Sequence, residues 1–300
     1  MVHRPVSPEE FFLGATVSGD DYRFVLSEEL PGRNLLFEEP GERVGDLGFL
    51  TEAMESVSAL VARRLTGGGE RGRVLVVSGR VDITDIDVWL AAGQEHGVAA
   101  VDLRVRPVGA AGAPTGFECA GEVRVQGGRC AVVGARLGIG RQRRGFDEGA
   151  GRPRLLAEDL GRLRPARVGR GDVRNVTVHG PQVVRGEKLL MDVIAHPDNP
   201  VFDPCRSERA DTALLLEASR QAAILAAAEL RQFDTAHCLP TRWSSLMNTP
   251  LDDSLPVRCS AEPGKVRRDP MGRPVVPVNI ELAQGERRVS TVTMSVLQDC

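Results

Sequence analysis

The chain has 300 residues, 42% hydrophobic and 26% charged, with a formal net charge of −3. That is room for two ordinary domains in a globular protein, and it excludes a disordered or fibrous chain and a whole-chain basic field for nucleic acid. Lys188 and Lys265 are the only lysines among 38 cations, so arginine is a compositional habit of this chain and a single arginine is a weak functional clue.

In chain order, the first twenty residues carry Glu9, Glu10 and Asp20 with no long apolar run, so no secretory signal is expected. A helix follows over about Asp46–Leu65, with Asp46 placed to cap it and Glu52 and Glu55 within it. Val-rich runs alternating in polarity then predict strands over 73–81 and 99–108 and a hairpin over 117–139 that turns at Gln126-Gly127-Gly128. Segment 140–174 holds ten arginines against five acids and many glycines. It reads as a solvated surface crossover with one short helix near Leu155–Leu163, the other reading being a phosphate-binding patch.

A second helix is expected from about Asp211 to Phe233, capped by Asp211. It is apolar on nearly all faces, which marks a buried helix. Glu217, Arg220 and Gln221 interrupt it. An ionised carboxylate in such a wall is costly unless paired, so Glu217 is either neutralised by Arg220 at i, i+3 or serves as an acid/base group in a cleft. Strands are expected over 254–263 and a second hairpin over 274–297, turning at Gln284-Gly285-Glu286.

The two halves repeat. A shift of 165 residues pairs Asn34 with Asn199, Phe37 with Phe202, Asp46 with Asp211, Leu50 with Leu215, Glu52 with Glu217, Ala53 with Ala218, Leu60 with Leu225, Ala62 with Ala227 and Leu65 with Leu230. Each half reads as strand, long helix, then several antiparallel strands, an α+β unit with one helix on one sheet. The expected divisions are 1–139, a crossover 140–174, and 175–300. Where the second helix has Arg220 the first has Glu55, so two acids lie i, i+3 with no cation between them, and one of them is expected to face solvent or to have a raised pKa.

None of the six cysteines forms a C-x-x-C or zinc-type pattern, so buried free thiols in a reducing cytoplasm are expected, with Cys205 alone considered as a nucleophile. His3, His96, His179, His196 and His237 read as surface, turn or structural residues. No G-x-S-x-G elbow, dinucleotide fingerprint or membrane-length apolar run is present in the sequence.

The string His196-Pro197…Phe202-Asp203-Pro204…Leu214-Leu215-Leu216-Glu217-Ala218-Ser219-Arg220-Gln221-Ala222-Ala223 resembles the A-factor biosynthesis hot-dog family, the γ-butyrolactone synthases. Val2-His3-Arg4…Phe11 is similar to that family's opening, Asp46…Glu52-Ala53-Met54 to its first helix, and Thr241-Arg242-Trp243 to a Thr-Arg-aromatic element after the second. The helix string also resembles the hot-dog dehydratases. The resemblance implies a tandem hot-dog fold, two long helices wrapped by antiparallel sheets that merge across a pseudo-twofold. It implies transfer of a β-ketoacyl group from an acyl thioester, on a carrier protein or coenzyme A, to a hydroxyl of dihydroxyacetone phosphate. Glu217 or Glu52 would then be the base, and Arg220 or Arg242 would hold the phosphate, with Gln221, Asp211 and Asp46 near the substrate. No cofactor, metal, nucleic-acid or membrane partner is implied; a cytoplasmic protein, with a homodimer allowed for, is.

The chain departs from the family at named positions. Glu208-Arg209-Ala210-Asp211-Thr212 stands in place of an Asp-His-x-Pro-Gly turn, Glu55-Ser56 in place of a first-helix Arg-Gln, and Ser244-Ser245 where basic and aromatic residues are usual. The position of the dehydratase histidine is Asp203. The alternatives carried beside the acyltransferase are therefore a hot-dog thioesterase, dehydratase or cyclase on a carrier-bound chain, and a non-catalytic acyl-binding relative.

Overall fold

The computed structural model describes residues 12–18, 21–29, 47–65, 73–91, 98–110, 113–140, 163–202, 210–249, 251–252 and 255–299. Two compact units divide the chain.

The first unit holds strands β1 (Phe12–Ser18), β2 (Asp21–Glu29), β3 (Arg73–Ile83), β4 (Val98–Ala110), β5 (Ala113–Val125) and β6 (Gly128–Gly140), with helices α1 (Leu47–Leu65) and α2 (Ile86–Ala91). Its antiparallel order is β1-β2-β4-β5-β6-β3. One face of α1 (Leu50, Met54, Val57 and Val61) is buried where the helix packs on β3 to β6. These residues recur at helical spacing, which is what places them on one stripe.

The second unit holds β7 (Val178–Val184), β8 (Lys188–Val193), α3 (Ala210–Arg231), β9 (Cys238–Met247), β10 (Val257–Pro263), the two-residue β11 (Arg267–Arg268), β12 (Pro274–Gln284) and β13 (Arg287–Gln298). Its order is β7-β8-β10-β12-β13-β9, the same topology as the first unit strand for strand, with β11 paired to β12. Every residue of α3 from Leu214 to Ala227 is buried, as the all-round apolar pattern requires. On β12, Val276, Val278, Ile280 and Leu282 alternate inward with a period of two. The α+β class and the helix-on-sheet units stand as read from the sequence.

Two strand features differ from the expectation. Each unit opens with a hairpin, β1–β2 or β7–β8, instead of a single strand. And β9 has no counterpart among the expected strands. Its sequence, CLPTRWSSLM, does not alternate, because the register against β13 slips between Ser295–Arg242 and Val296–Pro240, leaving Thr241 as an extra residue. Such a bulge inverts the inward–outward phase. Cys238 and Pro240 point inward before it, and Trp243 and Ser245 after it.

The two Gln-Gly turns also differ. Gln126 and Gly127 are both loop residues with positive φ, 49° and 84°, the signature of a primed two-residue hairpin turn. Gln284 instead ends β12 opposite Arg287, and its buried side chain ties the 252–255 segment to the strand through the N–H and C=O of Asp252 and the C=O of Leu255. Among the described residues no helix is long and apolar enough to cross a membrane.

The crossover is corrected at its C-terminal end. Residues 155–162, where a short helix was expected, lie outside the described residues. From Leu163 to Asn175 the chain is anchored in the second unit by Leu163, Val168, Arg170 and Asn175, which are buried, while Arg164, Ala166, Arg167, Gly171, Val173 and Arg174 between them are exposed. Two 3-10 turns, Pro165–Val168 and Val173–Asn175, carry this segment over α3. Gly169 closes the first in the left-handed region, at φ 64°, which a residue without a Cβ takes up at little cost.

Candidate functional site

Glu217 sits in the middle of α3 with 3% of its surface exposed. Five donors converge on its carboxylate. Arg170 binds it side-on, Nε to Oε1 at 2.8 Å and Nη2 to Oε2 at 2.5 Å. Arg220, one turn on, donates from Nε to Oε2 at 3.0 Å and from Nη2 to Oε1 at 2.8 Å. Gln221 donates from Nε2 to Oε1 at 2.5 Å. A carboxylate offers about four lone-pair sites, so this one is fully used. Burial by itself would push the Glu217 pKa up; the charges and hydrogen bonds of Arg170 and Arg220 outweigh it and hold the carboxyl below its ordinary value.

The network extends into the backbone. Gln221 accepts from the N–H groups of Thr177 (2.8 Å) and Val178 (3.3 Å) and donates to the C=O of Asn175 (2.6 Å). The Asn199 amide donates to the Asn175 side chain at 2.7 Å and to the Arg174 C=O at 3.0 Å. Arg220 Nη2 also donates to the Val168 C=O at 2.9 Å. Helix α3, the 163–175 segment and the turn before α3 are thus pinned at one point. Arg220 Nη1 takes no bond within the network, and a Cβ on Gly169 would lie 3.3 Å from it.

Of the residues singled out from the sequence, Glu217, Arg220 and Gln221 are brought together. Glu217 is paired and not the poised base it was also read as, because its lone pairs are spent and its proton affinity is lowered. Arg242 is not on the inner face of β9: the bulge at Thr241 sends it to the exposed face, while Trp243 faces the core. Asp211 is the second residue of α3, in its first turn and not at its cap, where a carboxylate still favours the positive helix end. Asp46 lies outside the described residues, as do Cys205 and Asp203, and the Glu52 side chain on α1 is likewise outside them. Glu55, which occupies the Arg220 position of the first helix, is buried.

Sequence reasoning missed Arg170, Asn175 and Asn199. Arg170 was hidden by the arginine-rich composition around it. Asn199 did carry a signal, since it matches Asn34 in the repeat. His196 is a turn residue whose Nδ1 accepts from the N–H of Asp198 at 3.2 Å. Cys119, Cys130, Cys238 and Cys259 are buried free thiols, pushed up by burial to about 12, 11, 12 and 12.

Comparison with protein families matches residues 153–298 to the A-factor biosynthesis hotdog domain, a span that contains every residue of this network. Across both units the fold is that of solved hot-dog proteins. It is similar to the tesB protein of Mycobacterium avium subsp. paratuberculosis at 13% identity and a TM-score of 0.50, covering 96% of this chain and 97% of that one. It is similar to a protein from Thermobifida fusca described as a thioesterase II at 11% identity and a TM-score of 0.53, covering 98% and 97%. At these identities the likeness concerns the fold. No curated protein sequence matches the chain.

Proposed function

We propose that the protein transfers a β-ketoacyl group from an acyl thioester, borne by an acyl carrier protein or coenzyme A, to a hydroxyl of a phosphorylated three-carbon acceptor such as dihydroxyacetone phosphate, in specialised metabolism of the γ-butyrolactone kind. The observation that carries this reading is that the family match spans the Glu217-x-x-Arg220-Gln221 helix, and that these three residues form one buried network with Arg170.

In such a transfer the acceptor hydroxyl gives up its proton, its oxygen attacks the thioester carbonyl, the C–S bond breaks and the thiol leaves with a proton. A base for this step needs a free lone pair and a pKa near working pH. Glu217 meets neither condition, so the proposal takes as proton acceptor the other acid that the family resemblance implies, Glu52. Arg220 supplies the anion-facing role through Nη1, which the network leaves uncommitted while Glu217 fixes the rest of the guanidinium. A phosphate held by an N–H pair of arginine is a charge-assisted bond of the stronger kind.

The test is incubation with a β-ketoacyl thioester and dihydroxyacetone phosphate, following thiol release and ester formation by mass spectrometry. One ester per thiol is the expected result, abolished in Glu52→Ala and weakened in acceptor KM by Arg220→Lys. Thiol release without ester would replace this reading with a thioesterase, and binding without turnover would replace it with an acyl-binding protein.

A further inference from the structure

Four serines are buried among the described residues, and three have an obvious partner. Ser58 donates to the Met54 C=O, Ser219 to the Leu215 C=O and Ser290 to the Leu246 C=O. Ser245 does not: its hydroxyl is buried with no hydrogen-bond partner. Two residues earlier on the same strand, the indole Nε1–H of Trp243 is also buried and unpartnered, in a residue only 3% exposed.

These two groups share a face. The bulge at Thr241 turns both inward on β9, and residues i and i+2 of a strand stand about 6.6 Å apart on one side. Their surroundings are apolar: Trp243 is opposite Met294 and Ser245 opposite Val292 on β13, and both of those are buried. Thr177 and Thr249 each have a buried unpartnered hydroxyl elsewhere, and on β9 two such groups stand on one strand face. An unmet buried donor costs free energy, and a ligand acceptor that meets it recovers part of that cost. Indole N–H can only donate, so the complement is an oxygen acceptor, and the apolar frame selects one carried on a hydrocarbon chain.

We propose that the inner face of β9 is a binding wall for an oxygenated acyl chain, with Trp243 Nε1–H and the Ser245 hydroxyl donating to carbonyl oxygens of that chain. The assignment rests on the acyl-substrate reading for its class of ligand, but not on any turnover. It makes recognition of the keto group a property of this strand, separate from the charged network on α3. A site built to bond an oxygen discriminates strongly against an analogue that lacks it.

The experiment compares two unreactive thioether analogues on a pantetheine arm, one β-keto and one saturated, by calorimetry and by tryptophan emission. Trp89 and Trp243 are the only tryptophans, so a Trp89→Phe background makes Trp243 the reporter. The expected result is tighter binding of the β-keto analogue with a shift in Trp243 emission. Trp243→Phe and Ser245→Ala should each weaken that analogue by roughly tenfold or more and leave the saturated one unchanged, and Ser245→Ala should keep the ligand-free melting temperature level or raised. Equal binding of both analogues, or loss of neither in the variants, overturns the proposal while sparing the acyl-substrate reading. A lowered melting temperature in Ser245→Ala with unchanged binding assigns the hydroxyl to a buried water and also overturns it. Failure of both analogues to bind the wild-type protein overturns both readings.

Discussion

Replacing Glu217 by glutamine separates an anchoring glutamate from a catalytic one. The change keeps the side-chain length and removes the charge. It leaves Arg170 and Arg220 facing each other with no carboxylate between them, and the Arg170 side chain is only 1% exposed. Removing one partner from a buried ion pair costs about 3–5 kcal/mol, because the surviving charge is stranded. For a unit of this size each kcal/mol moves the melting temperature by about 2–4 °C, so the drop should be roughly 6–20 °C. Scanning calorimetry reads it directly.

The pH dependence gives a second readout. The folded-state pKa of Glu217 lies below the ordinary 4.5. Its contribution is therefore fully present above about pH 4.5 and is lost as pH falls through the folded value. The gap between wild type and Glu217→Gln should stay level from pH 6 to 9 and close only in acid. A variant that melts within 2 °C of wild type, or a gap that fades between pH 6 and 8, would refute the anchoring role.

Arg170→Met should destabilise the protein by about 3 kcal/mol, with Arg170→Lys recovering only part, since an ammonium cannot reproduce two parallel N–H bonds; denaturant melts decide this. Gln221→Leu strips partners from the Thr177 N–H and the Asn175 C=O and should cost at least about 2 kcal/mol in the same assay. Alkylation of the native protein at pH 8, mapped by peptide mass spectrometry, should spare Cys119, Cys130, Cys238 and Cys259, all buried and held as thiols. In the acyl-transfer assay, Glu52→Gln should remove the acid limb of the kcat/KM profile, while Glu217→Gln should lower its height and leave the limb in place.

The architecture was legible because its signals are local. Hydrophobic periodicity marked α1 and α3, and a shift of 165 residues exposed the repeat before any strand order was known. The pairing of Glu217 with Arg220 was legible too, as an i, i+3 contact within one helix. Arg170 was not, since it lies 47 residues away on a segment whose composition argued for solvent, and nothing local distinguishes one arginine of ten. The inward face of β9 was illegible for a different reason. A single extra residue at Thr241 inverts which side chains are buried, and alternation read without it assigns Arg242 and Trp243 to the wrong sides.

The repeat also shows where the two halves part in chemistry. Glu52 and Glu217 occupy the same helical position, but the neighbours of Glu217 are not repeated around Glu52. At the matching places Arg220 becomes Glu55, Gln221 becomes Ser56, Arg170 becomes Pro5 and Asn175 becomes Glu10. The donors that lower the pKa of Glu217 and use up its oxygens therefore have no sequence counterparts in the first half, where a second acid, Glu55, is itself buried. A buried acid nearby raises the proton affinity of a carboxylate, and a guanidinium lowers it. Duplication followed by this divergence leaves the Glu217 position with its donors and the matching position of the first half without their sequence counterparts, and a split in environment is how acid/base and anchoring roles come to be divided between otherwise equivalent carboxylates.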